Sequence, residues 1–171
     1  MSAPHPIDAA ELVRIVAGRG HDRRSVTAVA GAPGSGKSTL AESLALRLNA
    51  DDPGSAAVFP MDGYHYDNMI LNARGWLARK GAPHTFDVRG FARMLARLKE
   101  NTEEEVAVPV FDRAIETARN SARIIPQTVS HLIVEGNYLL LDAPLWADLF
   151  PLYDTSVFLD VPEDELRARL A

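Results

Sequence analysis

At 171 residues the chain suffices for one domain with a sizeable core, and 47% hydrophobic with 24% charged residues is ordinary for a globular protein. A formal net charge of −5 leaves no bulk basic surface for nucleic acid, and the absence of cysteine excludes disulfides, thiol catalysis and thiolate metal sites. No run approaches the ~18 apolar residues of a membrane span, and the first residues lack the charged and apolar regions of a signal peptide, so the expectation is a cytoplasmic protein.

In chain order, residues 1–6 read as a loose tail. Asp8 followed by Glu11 forms the pattern of a capping box and opens a helix to about Gly18. Ser25 to Ala30 is short, apolar and β-branched, the pattern of a buried strand. The next stretch, Gly31-Ala32-Pro33-Gly34-Ser35-Gly36-Lys37-Ser38-Thr39, satisfies G-x-x-x-x-G-K-[ST] without a mismatch. From Lys37 to Asn49, Leu40, Ala41, Leu44, Ala45 and Leu48 line one face of a helix. Strand, glycine loop and helix in that order make a phosphate cradle: the glycines let backbone N–H groups turn inward, and the helix N-terminus adds partial positive charge. In this motif Lys37 reaches the β- and γ-phosphates and the Ser38 hydroxyl joins the shell of Mg²⁺, so the chain is expected to bind a nucleoside triphosphate.

Downstream, residues 51–55 are a turn cluster, and Ala56 to Pro60 reads as a second strand ending just before Asp62. Residues 68–83 mix apolar positions with Gly75, Gly81 and Pro83, which predicts short helices and loop. From Asp87 to Leu98 the stripe Val88, Phe91, Leu95, Leu98 marks an amphipathic helix, with Arg89, Arg93 and Arg97 on a face expected to be solvated. Residues 106–110 form a strand-like run that Arg123-Ile124-Ile125 can meet as a hairpin arm. Residues 131–136 and 155–160 read as core strands, with a helical stretch over 145–150 between them and a last helix opening at Pro162. Strands alternating with helices predict an α/β fold, a largely parallel sheet between layers of helices.

Ligands of such sheets sit beyond the carboxyl ends of the strands. Three strands end in chemistry: one in the cradle, one at Asp62 and one at Glu135. Two carboxylates beside a triphosphate suit Mg²⁺, and they suit a base that accepts a proton from an attacking hydroxyl. Asp-Gly is also a common turn dipeptide, and Glu135 also fits a plain strand-end carboxylate.

Five ordered blocks carry a resemblance: GAPGSGKST at 31–39, MDGYHYDN at 61–68, RKGAPHTFD at 79–87, VPVFDRAIE at 108–116 and VEGNYLLLD at 134–142. In this order and spacing they resemble the P-loop kinases that include uridine kinase, pantothenate kinase and phosphoribulokinase, above all a bacterial nucleoside/nucleotide kinase-like branch labelled as fructose transport system kinases. The resemblance implies a P-loop NTPase fold and an ATP- and Mg²⁺-dependent phosphotransferase acting on an alcohol: a sugar, a nucleoside or a pantothenate-like molecule. It implies Asp62 as the catalytic group that orients and deprotonates the acceptor hydroxyl, and Glu135 as the carboxylate supporting Mg²⁺. Tyr64, His65, Phe111, Asp112 and Arg113 fall where acceptor contacts sit, with core packing the other role open to Tyr64 and Phe111. His65 and His84 fit a structural role as well as a substrate contact, and Arg113 and Arg119 also fit plain surface charges. His84 or Thr85 stands where nucleoside kinases of the family hold the ribose with a carboxylate, while residues 79–83 resemble the pantothenate kinase version. The final helix, with Arg167 and Arg169, resembles the start of an arginine-bearing lid; relatives continue into a second lid helix and a last strand, which 1–171 is expected to lack. Relatives often pair, so the resemblance leaves a homodimer open while the sequence does not fix the oligomeric state; no nucleic-acid or membrane partner is expected. A P-loop hydrolase or switch, and a nucleotide-binding regulatory protein without kinase activity, are the competing classes.

Overall fold

The computed structural model describes residues 4–20 and 22–170; the expected tail at 1–6 lies partly outside them, and residues 4–6 have no regular structure. Helix α1 (Ala9–Ala17) begins where expected, with the Asp8 carboxylate accepting from the Glu11 N–H at 2.7 Å. Strand β1 (Ser25–Gly31) is buried along its whole length. Helix α2 (Lys37–Asp51) follows the glycine loop, and β2 (Ala56–Pro60) leads into a 3₁₀ turn, Met61–Tyr64. The 68–85 region comprises α3 (Asn68–Ala73) and two 3₁₀ turns, Leu77–Arg79 and Pro83–Thr85. Helix α4 (Val88–Glu100), hairpin strands β3 (Glu105–Asp112) and β4 (Thr117–Pro126), β5 (His131–Gly136), β6 (Thr155–Leu159) and α5 (Glu163–Leu170) complete the order. The stretch read as helical at 145–150 is a 3₁₀ segment, Ala147–Leu152; Pro151 inside it prevents an α-helical ladder.

Four strands form a parallel sheet in the order β2-β5-β1-β6, the parallel sheet between helices expected from the sequence. The period-2 alternation of the strands divides the core. Val26, Ala28, Ala30, Leu132 and Val134 face α4 through Phe91, Leu95 and Leu98, whereas Val29 and Ile133 face α1 and α2 through Leu12, Val16, Ala41, Leu44 and Leu48. Both helical stripes expected from the sequence are the buried faces, and Arg89, Arg93 and Arg97 are exposed.

Arg24, 2% exposed, locks these layers at the edge opposite the cradle. Its guanidinium donates to the carbonyls of Val129 (2.6 Å), Leu98 (2.8 Å) and Pro126 (2.7 Å), tying α4 and the β4–β5 connection to the start of β1. Burial lowers this guanidinium to about 10.

The hairpin β3–β4 is a separate antiparallel ribbon, with Val106 opposite Ile125, Val108 opposite Arg123 and an irregularity at Pro109. Its second strand is longer than the Arg123–Ile125 arm expected, because residues 119–124 are exposed and carry no apolar alternation. The ribbon packs on the 3₁₀ turn so closely that a Cβ at Gly63 would stand 2.7 Å from the Pro109 carbonyl oxygen.

Candidate active site

The cradle lies at the carboxyl end of β1. Gly34 and Gly36 adopt φ of +77° and +91°, which side-chain-bearing residues rarely hold, and Gly36 directly precedes the first residue of α2. Ser35 Oγ is buried without a hydrogen-bond partner among the described residues, a polar atom inside the loop suited to a phosphate oxygen. From α2, Ser38 Oγ donates to Glu135 Oε2 at 3.1 Å.

Glu135 stands near the end of β5, between Val29 of β1 and Pro60 of β2 in register, and is 6% exposed. Burial and then the charge of Asp62 push its carboxyl above the usual range; Lys37, the Ser38 hydroxyl and Arg113 pull the other way. Asp62, on the turn after β2, pairs with Arg113 Nη2 at 3.2 Å. Ser38, Glu135 and Asp62 thus offer hard oxygen donors beside a positively biased loop, and two mutually repelling carboxylates fit a divalent cation shared with phosphate oxygens. A cleft of about 350 Å³ opens here between α2, β2 and the hairpin, lined by Ser38, Glu42, Val58, Pro60, Arg123 and Glu135.

His65 and Phe111 meet beside this turn. The His65 ring lies 4.0 Å from the Phe86 ring centroid and 4.8 Å from that of Phe111, with Nδ1 2.8 Å from the Asp62 carbonyl oxygen. Burial lowers its pKa, so the neutral ring donates from Nδ1 to that carbonyl and helps hold the turn carrying Asp62. Asp112 pairs with Arg119 and accepts from the Ala114 N–H in the hairpin loop.

Three expected site residues take their contacts outside the Asp62–Glu135 pair. Tyr64 packs its ring on Phe59 (5.9 Å) and Phe91 (5.2 Å), and its hydroxyl is raised by burial and then by Asp87; its neighbours are those of the α4 layer rather than of Asp62, because a 3₁₀ turn rotates successive side chains by about 120°. His84 is exposed and meets Trp76 edge-on at 5.0 Å, carried outward by a turn in which Thr85 takes the buried place. Arg167 pairs with Glu163 one helical turn back, at 2.6 Å, while Arg169 of α5 donates to the Gly34 carbonyl of the cradle at 3.1 Å and the Leu170 side chain packs beside Gly34. Two further residues border the site without having been singled out. Tyr138 donates to the Gly81 carbonyl at 2.7 Å, its hydroxyl raised by burial and then by Asp62, and Lys80 Nζ sits 5.3 Å above the Phe111 ring. Both belong to the blocks at 79–87 and 134–142, which was the available signal.

No protein-family model matches the chain. The crystal structure of a "putative fructose transport system kinase" from Silicibacter sp. TM1040 superposes with a TM-score of 0.88 at 46% identity, covering 96% of this chain and 80% of that one. A "putative uridine kinase" of Schizosaccharomyces pombe is 40% identical over 157 residues, and a pantothenate kinase of Listeria monocytogenes serotype 4a is 31% identical over 146. The chain belongs to the uridine kinase and pantothenate kinase family of P-loop kinases. It spans 66% of the length of the first of these two curated relatives and 47% of the second, while they match 88% and 83% of it. Among the described residues no helix is long and apolar enough to cross a membrane.

Proposed function

We propose that the protein transfers the γ-phosphoryl group of ATP to the hydroxyl of a small-molecule alcohol, in the cytoplasm. One observation carries this: the cradle's own Ser38 is bonded to Glu135, and Asp62, paired with Arg113, stands on the turn that directly follows Pro60, the register partner of Glu135. Such a constellation provides for a triphosphate on one side and an incoming hydroxyl on the other.

In this mechanism the loop amides and Lys37 hold the phosphates, and catalysis is positioning with electrostatic stabilisation, since phosphoryl transfer asks little covalent chemistry of the protein. Ser38, Glu135 and Asp62 would hold Mg²⁺, which when bound screens the charge of the phosphate oxygens. Asp62 orients the acceptor and accepts its proton; the acceptor oxygen bonds to the γ-phosphorus as the bond to the bridging oxygen breaks, releasing the diphosphate. His65 and Phe111 form an aromatic wall for the acceptor, and Arg169 stands at the cradle where a lid begins.

Asp62→Asn tests the assignment. Nucleotide affinity should stay within about threefold while phosphoryl transfer falls by ~10²–10⁴-fold, the range lost with a general base. Transfer surviving within about tenfold would reduce Asp62 to a turn residue. Phosphate release that needs no added alcohol would instead place the protein among hydrolases.

A further inference from the structure

We infer that Arg123 is a positioning residue for phosphoryl transfer: it anchors the hairpin to β2 and thereby sets Arg113 on Asp62. The inference rests on the kinase function proposed above and deepens it, adding a residue that acts through others.

Strand β2 is an edge of the parallel sheet, so its outward backbone groups need partners other than a strand. At Ala56 the side-chain amide of Asn49 serves both groups: the Ala56 N–H donates to Oδ1 at 2.9 Å, and Nδ2 donates to the Ala56 carbonyl at 3.0 Å. Pro60 has no N–H to satisfy. Between them the Val58 carbonyl accepts from Arg123 Nη1 at 2.8 Å. Asn49 comes from α2, so of these two edge partners only Arg123 brings in the hairpin.

Arg123 stands where the hairpin's own ladder breaks. Its register partner is Val108, and the next pair is Val110 with Arg119, so Pro109 faces residues 120–122 without a one-to-one partner. Within that stretch Ser121 has a φ of +51°, in the left-handed region. On the near side of the break the ribbon is fixed by burial, with Val106, Val108 and Ile125 in the α4-side core. Beyond it, residues 110–119 have no buried side chain, and this half carries Phe111 and Arg113. A two-stranded ribbon without a buried face is marginal by itself. Its course over the site is therefore set by what holds it at the break.

Two contacts do so: Arg123 on Val58, and the Pro109 carbonyl closed against Gly63. They fix where Arg113 arrives, with Nη2 3.2 Å from Asp62 Oδ2. The tip's other ties, Lys80 to the Glu116 carbonyl and Thr117 Oγ1 to Asp67 at 3.4 Å, lie on the α3 side and leave the β2 side to Arg123. Arg123 is exposed, so its substitution costs folding little. Displacing a catalytic group by about 1 Å, in contrast, costs about 10²-fold in rate. The weight of this bond falls on catalysis.

The test has a structural and a kinetic arm. The chain has no cysteine, so Leu46→Cys on α2 and Ile115→Cys at the hairpin tip, both exposed, take nitroxide labels selectively. The distance distribution between the labels should be narrow in the otherwise unaltered chain and broaden with Arg123→Ala. For kinetics, ADP formation is followed with ATP–Mg²⁺ and a panel of sugars, nucleosides and pantothenate. Arg123→Ala should lower kcat by about 10- to 100-fold, with KM for ATP staying within about twofold. In an Arg113→Ala background the same substitution should cost less than about threefold, because the two residues act in series. Arg123→Lys, whose ammonium still donates to the Val58 carbonyl, should recover most of the rate and the narrow distribution. An unchanged distance distribution overturns the inference. So does an unchanged kcat, or an equal loss with and without Arg113, where the parent transfers phosphate. Broadening by Arg123→Ala in a protein that phosphorylates no member of the panel upholds the anchoring and counts against the kinase function.

Discussion

Gly136→Ala probes how the sheet positions Asp62. Gly136 ends β5 opposite Ala30, and a Cβ there would stand 2.6 Å from Met61 Cβ and 2.8 Å from Met61 Sδ. Ordinary carbon–carbon contact begins near ~3.5 Å, so something must yield by about 1 Å. Met61 is fully buried, and the contacted Cβ is fixed to its backbone, so the part that yields is the Met61–Tyr64 turn, which carries Asp62. Overpacking of this kind costs ~1–3 kcal/mol, which for a domain of this size lowers Tm by about 3–10 °C. A catalytic group displaced by ~1 Å loses about 10²-fold in rate. Differential scanning fluorimetry, nucleotide titration and a phosphoryl-transfer assay separate the effects. Lower Tm, retained nucleotide affinity and impaired transfer are expected, since the cradle itself is untouched. A variant that melts within about 1 °C of the parent and transfers phosphate within twofold would refute the account of how Asp62 is placed.

Lys37→Ala should eliminate productive triphosphate binding; unchanged affinity for ATP–Mg²⁺ by calorimetry would overturn the cradle assignment. Glu135→Gln should melt at or above the parent's temperature in nucleotide- and metal-free buffer near neutral pH, because the carboxyl's raised pKa makes the folded chain disfavour its charge while an amide oxygen still accepts from Ser38. That gain should be full above the folded carboxyl's pKa and fade as pH falls from there to the ordinary glutamate value of 4.5, below which the parent is protonated in both states; a Tm well below the parent's at neutral pH contradicts it. The same variant should lose the extra stabilisation that Mg²⁺ adds to bound nucleotide. Arg24→Met should cost about 2–5 kcal/mol in urea unfolding by removing the guanidinium's bonds to the buried carbonyls of Val129 and Leu98 and to the part-buried carbonyl of Pro126, and a loss under ~1 kcal/mol would show that water replaces the guanidinium.

The amino-acid sequence by itself determined the cradle and the sheet. The glycine pattern at 31–39 demands a particular backbone, and the alternation of Val26, Ala28 and Ala30 with Thr27 and Val29 already separates two buried faces. The acids at 62 and 135 were legible because strand ends of a parallel sheet are where such chemistry collects. The hairpin's length was not, since residues 119–124 are exposed on a ribbon and carry no periodic signal. Nor were the directions of Tyr64, His84 and Arg167. One residue's difference along a turn decides whether a side chain enters the core or the site, and only packing against Phe59, Trp76 or Glu163 sets it. Tertiary structure also decided what Lys80 is. In the sequence it is one cation in a loop; in the fold it is held over Phe111, because residues 68–86 close back on the Asp62 turn through contacts made far along the chain.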